Sequence, residues 1–254
     1  MSEMYERTVI LEGRRLTRDF KGLRANSEID FTLFEGEILG LIGPNGAGKT
    51  TLINIVSGAL PHTSGDALFK GRSILGLPPH KVGRLGIART FQIVKPFPRL
   101  TVLENVAVGA MFGKGGRKRR ARDAHLVALE IVSFVGLEKF RDQAADQLNV
   151  ASRKRLEIAK ALAMDPEVVL FDEVMAGLTP AEIDTAVELI RQIRDRGISI
   201  LVIEHVMRAI KAICDRLFVL HHGEKIAEGT PTEVFRDEEV IRAYLGKRFQ
   251  QLTS

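Results

Sequence analysis

The chain is 254 residues long, 45% hydrophobic and 27% charged, with a formal net charge of +5 at pH 7, which suits one large soluble globular domain, or a domain with a sizeable insertion, around a packed core. No apolar run approaches the roughly 20 residues that cross a bilayer, and the stretch Met1–Arg7 lacks the charged and apolar segments of a signal peptide, so the expected location is the cytosol. A single cysteine, Cys214, excludes an internal disulfide and a cysteine-cluster metal site and reads as a small buried apolar residue.

The predicted elements begin within residues 8–36, where the short alternating segments Thr8–Glu12 and Ile29–Phe34 read as antiparallel strands at one edge of the fold. An apolar run, Glu37–Ile42, then leads into Gly43-Pro44-Asn45-Gly46-Ala47-Gly48-Lys49-Thr50 and a helical pattern from Thr51 to Val56. Strand, glycine loop and helix in that order are the setting of a phosphate-binding loop. The glycines let successive backbone N–H groups converge on the β- and γ-phosphates, the helix N-terminus adds partial positive charge, and Lys49 brings a full charge to the same oxygens. Thr50 offers its hydroxyl to Mg2+, and Thr51 completes the nucleotide-binding set. A nucleoside triphosphate is the implied ligand.

From Thr101 to about Leu148 the pattern is mainly helical and holds the charged insert Gly113–Arg120, as a helical subdomain would. The last third alternates apolar runs with helical patterns, which predicts an α/β domain with a largely parallel core sheet. Thr179-Pro180-Ala181-Glu182 and Thr230-Pro231-Thr232-Glu233 each combine a threonine N-cap, proline at the first helical position and a glutamate positioned to complete a capping box. Gly197 and Gly246 are the expected stops of the helices that follow.

A phosphate loop alone does not separate a kinase from a GTPase or a motor. Pro166–Glu173 is a buried-strand pattern ending in two carboxylates, and a buried parallel strand presents its C-terminal end at the ligand crevice. Asp172 is thereby expected near Mg2+, while Glu173, pointing another way, is placed to aim at the γ-phosphate and polarise an attacking water. Hydrolysis is the implied reaction. A second buried strand, Ile198–Ile203, ends at Glu204-His205, where an imidazole has two readings: a hydrogen bond to the γ-phosphate or water, or a satisfied surface group. Gln92, between the nucleotide domain and the helical insert, offers an uncharged amide to the Mg2+ or water network.

Taken in this order, the motifs resemble the nucleotide-binding subunit of an ABC transporter, over nearly the whole chain from about Thr8 to Leu245. The resemblance implies a P-loop NTPase fold of the ABC type within residues 8–247, with an antiparallel β edge subdomain and a helical insert at about 93–165. It also implies that Phe20 stacks on adenine, its π-face suiting a purine, with ATP and Mg2+ as ligands. Within that family the chain is similar to the ATPases of branched-chain, or hydrophobic, amino acid importers, on the phrases GIARTFQ (Gly86–Gln92), LTVLENV (Leu100–Val106), RLEIAKAL (Arg155–Leu162), EVMAGL (Glu173–Leu178), VIEHVM (Val202–Met207), GEKIAEGTP (Gly223–Pro231) and the closing Val240–Gly246. Importers of related small polar solutes such as amides or urea fall within the same expectation.

The chain departs from the family pattern at three places. The usual signature, Leu-Ser-Gly-Gly-Gln, is here Leu148-Asn149-Val150-Ala151-Ser152. The Asn149 side chain and the Ala151 and Ser152 segment still offer donors at a helix start, but Val150 and Ala151 lack glycine's backbone freedom. Thr179 stands where many relatives have aspartate, and Val174 where proline is frequent.

The resemblance further implies ATP-driven closure of a homodimer, or of a heterodimer with a paralogous ATPase, each ATP lying between one phosphate loop and the other subunit's Asn149–Ser152. Separate transmembrane permease subunits and an extracytoplasmic solute-binding protein would complete the complex. The chain itself would be cytoplasmic and peripheral on the inner face of the membrane. Two other readings stand beside this one: an ABC ATPase driving lipid or lipopolysaccharide extraction, and a soluble ABC protein acting on DNA or ribosomes. The basic cluster from Lys114 to Arg122 reads first as a solvated loop or helix face and second as a surface for anionic lipid. Nucleic acid is not expected there, because no aromatics are interleaved to stack on bases.

Overall fold

The computed structural model describes residues 7–90, 96–116 and 119–244; Gln92 and Gly246 lie outside the described residues. The chain opens with a long antiparallel hairpin, β1 (Val9–Phe20) and β2 (Leu23–Phe34). It enters the core as β3 (Ile38–Ile42), passes through the glycine loop into α1 (Lys49–Val56), and returns to the edge as β4 (Ser64–Phe69) and β5 (Arg72–Ser73). After α2 (Pro79–Leu85) and β6 (Ile87–Arg89) come the three helices of the insert, α3 (Val102–Met111), α4 (Ala121–Phe134) and α5 (Val150–Ala163). The remainder alternates: β7 (Val168–Asp172), α6 (Pro180–Asp195), β8 (Ser199–Ile203), α7 (Met207–Ile213), β9 (Arg216–His221), β10 (Glu224–Gly229) and α8 (Pro231–Val234).

These strands make two sheets among the described residues. The edge sheet is antiparallel in the order β2-β1-β4-β5; the core sheet runs β10-β9-β3-β8-β7-β6, parallel except for β10. Both expected edge strands are present. Each runs further than its apolar alternation indicates, because the charged residues Arg14, Arg15 and Asp19 continue β1 across bulges. Bulges re-aim side chains and break a period of two, and β4, which pairs with β1 from Leu11 to Thr17, had no clear alternation of its own.

Why the core sheet sits in the middle follows from its side-chain alternation. Ile38, Ile42, Val169, Phe171, Ile200 and Val202 face the helices of the insert and of the C-terminal third. Leu39, Leu41, Val168, Leu170, Leu201 and Ile203 face α1 and the edge sheet. A parallel sheet covered on both faces reads as continuous apolar runs, as these strands do. Phe171 is wholly buried, and its truncation to alanine would cost about 3–5 kcal/mol. Arg216 on β9 ties the sheets together, donating to Glu37 at 2.9 Å and to the Thr32 carbonyl.

Helix starts follow their caps. Thr179 and Thr230 form the expected capping boxes with Glu182 and Glu233, and Thr101 forms another with Glu104 at the start of α3. Past the end of α6, Gly197 takes φ 84 and donates its N–H to Arg194 O at 2.7 Å, the left-handed turn that ends a helix. Asn105, fully buried on α3, accepts from Phe97 N–H and donates to the carbonyls of Phe97, Leu100 and Thr101. It pins the chain that enters the insert. No helix among the described residues is long and apolar enough to cross a membrane.

Candidate active site

The site is built where β3, β7 and β8 end, at the C-terminal edge of the parallel sheet, which is where open α/β sheets bind ligands. All five residues of β3 are buried, so the chain leaves the core at a fixed point and must turn at once. A Cβ on Gly43 would come within 2.1 Å of Leu220 O. Only glycine lets the loop pass β9. Gly48, at φ 101, caps α1, and a Cβ there would meet Ala25 O at 2.4 Å. The edge hairpin therefore packs directly on the loop, and buried Asn26 donates to Gly48 O at 3.2 Å.

Lys49 is curled back on its own loop, its Nζ donating to Gly43 O at 2.7 Å and Pro44 O at 2.9 Å. Burial lowers its pKa, and the nearby Glu173 and Asp172 carboxylates pull it back up. Those carbonyl oxygens occupy the ammonium as phosphate oxygens would, so the cation is held in the loop rather than recruited from solvent.

Asp172 at the end of β7 is 1% exposed. Arg89 donates to its Oδ2 at 3.0 Å and also to Asn54 Oδ1 and Ser57 Oγ on α1, at 2.6 and 3.0 Å. Asp172 Oδ1 is buried with no hydrogen-bond donor. Such an orphaned carboxylate oxygen, with Thr50 lining the adjoining cleft, fits a hard divalent cation that takes oxygen ligands. Among the described residues no group of three or more His, Cys, Asp and Glu side chains could hold a metal alone. A Mg2+ here would therefore share its shell with phosphate and water, as that ion commonly does.

Glu173 holds the left-handed backbone conformation, φ 53, which a non-glycine residue adopts at a cost of about 1–3 kcal/mol. Several contacts hold it there: its N–H donates to Ile203 O at 3.0 Å, its carbonyl accepts from Lys154 Nζ at 2.9 Å and from Ala176 N–H at 3.3 Å, and its Oε1 lies 2.6 Å from His205 Nε2. The carboxylate is thus directed away from Asp172 and into the cleft, paired with the imidazole. Buried Glu204 braces the same corner, accepting from Met175 N–H at 2.7 Å and His205 N–H at 3.3 Å, with its pKa raised by burial against those two donors.

One cleft of about 920 Å³ gathers Asn45 to Thr51, Glu173 and His205 with Phe20, Leu23, Arg24, Ala25 and His222. The phosphate end and the aromatic end are continuous, as a nucleotide requires. Asn149, Ala151 and Ser152 are not in this cleft. Asn149 caps α5, its Oδ1 accepting from Ser152 N–H at 2.8 Å, while the neighbouring Val150 is 57% exposed. That helix end faces outward, with the Asn149 amide Nδ2 left as a donor. Gln92 is not among the described residues. Thr179 spends its hydroxyl on the α6 cap, bonded to Glu182.

Sequence reasoning missed Arg24, Ala25, Asn26, His222, Arg89 and Lys154. His222 arrives on the β9–β10 turn, where Gly223 N–H bonds Ala47 O at 3.1 Å, and nothing local in the sequence signals that approach. Arg89 meets Asp172 because β6 and β7 run parallel in register.

The ABC transporter family model matches residues 26–176, and a model described as branched-chain amino acid ATP-binding cassette transporter matches residues 224–250. The chain is 37% identical, over 250 residues, to the high-affinity branched-chain amino acid transport ATP-binding protein LivG of Escherichia coli, covering 94% of this chain and 98% of that protein. It is 35% identical, over 240 residues and with the same coverage, to the lipopolysaccharide export system ATP-binding protein LptB of the same species. A crystal structure of the ADP conformation of an ATP-binding cassette from an ABC transporter superposes with a TM-score of 0.86 at 29% identity, over 94% of this chain and 99% of that one.

Proposed function

The chain belongs to the ABC transporter family, as an ATP-binding subunit, and from that premise we propose that its ATP hydrolysis powers an importer of branched-chain or other hydrophobic amino acids, or of small polar solutes such as amides. The observation that carries the choice of importer is the match of residues 224–250 to the branched-chain amino acid group. The likeness to LptB supports a second reading, lipid extraction.

In the proposed cycle ATP lies with adenine on Phe20 and its phosphates along Gly43–Thr51. Lys49 exchanges the Gly43 and Pro44 carbonyls for β- and γ-phosphate oxygens. Thr50, Asp172 and Gln92 would hold Mg2+, which when bound offsets phosphate charge. Glu173 takes the proton of the attacking water, and His205, hydrogen-bonded to it, orients the carboxylate and reaches the γ-phosphate. A second subunit, identical or paralogous, contributes its Asn149, Ala151 and Ser152 donors to the same phosphate. Closure of the pair favours ATP over its products, so hydrolysis reopens it, and separate permease subunits follow the two states. The chain would work at the cytoplasmic face of the membrane, with an extracytoplasmic binding protein delivering the solute.

Affinity capture of the chain from gently solubilised membranes, followed by mass spectrometry, tests the assignment. Permease subunits with a solute-binding protein are the expected companions. Components of a lipopolysaccharide export machine, or ribosomes, would replace the importer with one of its rivals.

A further inference from the structure

Behind Phe20 lies a guanidinium with no other partner among the described residues. Arg18 and Phe20 are two apart near the end of β1, where a bulge at Arg18/Asp19 re-aims the side chains, and Arg18 Cζ lies 4.5 Å from the Phe20 ring centroid. Phe20 lines the cleft and Arg18 does not, so the cation packs on the ring from outside the cleft. The neighbouring carboxylate, Asp19, is committed to Arg24 Nε at 2.9 Å. Among the described residues the Arg18 side chain has neither ion pair nor hydrogen bond, and its Nε is buried without an acceptor. A charge left without a carboxylate, held only by an aromatic ring at the base end of a nucleotide cleft, calls for a reason beyond packing.

We propose that Arg18 is a positioning residue for the nucleobase, acting through Phe20 as the outer layer of a stack in the order guanidinium, phenyl ring, purine. Two π-faces repel through their quadrupoles when stacked squarely. A cation on the far face draws ring density toward itself and weakens that repulsion, while fixing the plane of the ring. The gain grows with the π-surface of the base, so Arg18 tunes preference for a purine over a pyrimidine. Phosphate contacts are untouched. This rests on the reading that Phe20 stacks on the base.

The test is calorimetric titration of the full chain with ATP and with UTP. Arg18→Met keeps the apolar stem and removes the charge; it is expected to weaken ATP binding about two- to fivefold, the range of an exposed cation–π contact, and to weaken UTP binding less. The preference for ATP therefore narrows. Arg18→Lys retains most of it, and Arg18→Gln serves the same comparison where the methionine variant folds poorly. Phe20→Ala narrows the preference further, and adding Arg18→Met to it changes nothing more, because the two act as one unit. Equal losses for ATP and UTP, or additive losses in the double variant, would overturn the role of Arg18 while leaving Phe20 in place. An unchanged preference in Phe20→Ala would overturn the stacking reading and the inference with it.

Discussion

Glu173→Gln separates chemistry from binding because the structure holds this residue by its backbone. The N–H bond to Ile203 and the Lys154 contact to its carbonyl do not involve the side chain, so the left-handed turn survives the substitution. A glutamine Oε1 still accepts from His205 Nε2, which lies 2.6 Å from the present oxygen. What disappears is the capacity to take a proton. General-base catalysis contributes about 10²–10⁴-fold, or about 2.7–5.5 kcal/mol of barrier, and turnover should fall by that factor while ATP affinity stays within about twofold, the signature of a group used only in the transition state. Steady-state phosphate release and a binding titration on the same preparation measure both. Light scattering should also show an ATP-dependent dimer accumulating. Turnover within about threefold of the parent, in a protein that binds ATP normally, would remove Glu173 from the role of base and refute the reasoning.

Lys49→Ala should weaken nucleotide binding itself, since its ammonium is already buried among the loop carbonyls; normal ATP affinity by calorimetry would count against the phosphate-loop reading. Lys154→Met removes the charge-assisted contact to the Glu173 carbonyl, and kcat should drop about tenfold with ATP affinity kept and with recovery in Lys154→Arg; a change in affinity alone would mean that Lys154 does not position Glu173. Burial raises the Glu204 pKa above its ordinary 4.5, so the stability tied to this group is fullest below that value and is lost as pH rises through the folded pKa. The melting temperature of Glu204→Gln relative to the parent should therefore climb from acid to neutral pH, and a gap that stays flat or shrinks would show that Glu204 is not destabilised by burial.

How much of this was legible in the sequence depends on whether the chemistry was contiguous. Gly43 to Thr50 is one uninterrupted segment between two apolar patterns, and the β7 run ending in Asp172-Glu173 carries its own burial signal, so both could be placed without a structure. The capping boxes at Thr179 and Thr230 are equally local. By contrast, Arg89 and Asp172 are 83 residues apart and meet only through parallel strand register. His222 reaches the cleft only because the β9–β10 turn bonds Ala47. The charged stretch of β1 hides its strand character behind bulges, and with it the stacking of Arg18 on Phe20. Asn149 does not line its own chain's cleft, so a single chain does not assemble that part of the proposed site.

The central claim, an ATPase coupled to amino acid uptake, is tested most directly by transport. Uptake of radiolabelled leucine, isoleucine and valine at low concentration would be measured in cells of its source lacking this chain and supplied with either the parent or Glu173→Gln. Uptake should be lost without the chain, restored by the parent and not restored by the variant. Uptake indifferent to the chain, alongside intact ATP hydrolysis by the purified protein, would contradict the importer assignment and leave the ATPase to serve another machine.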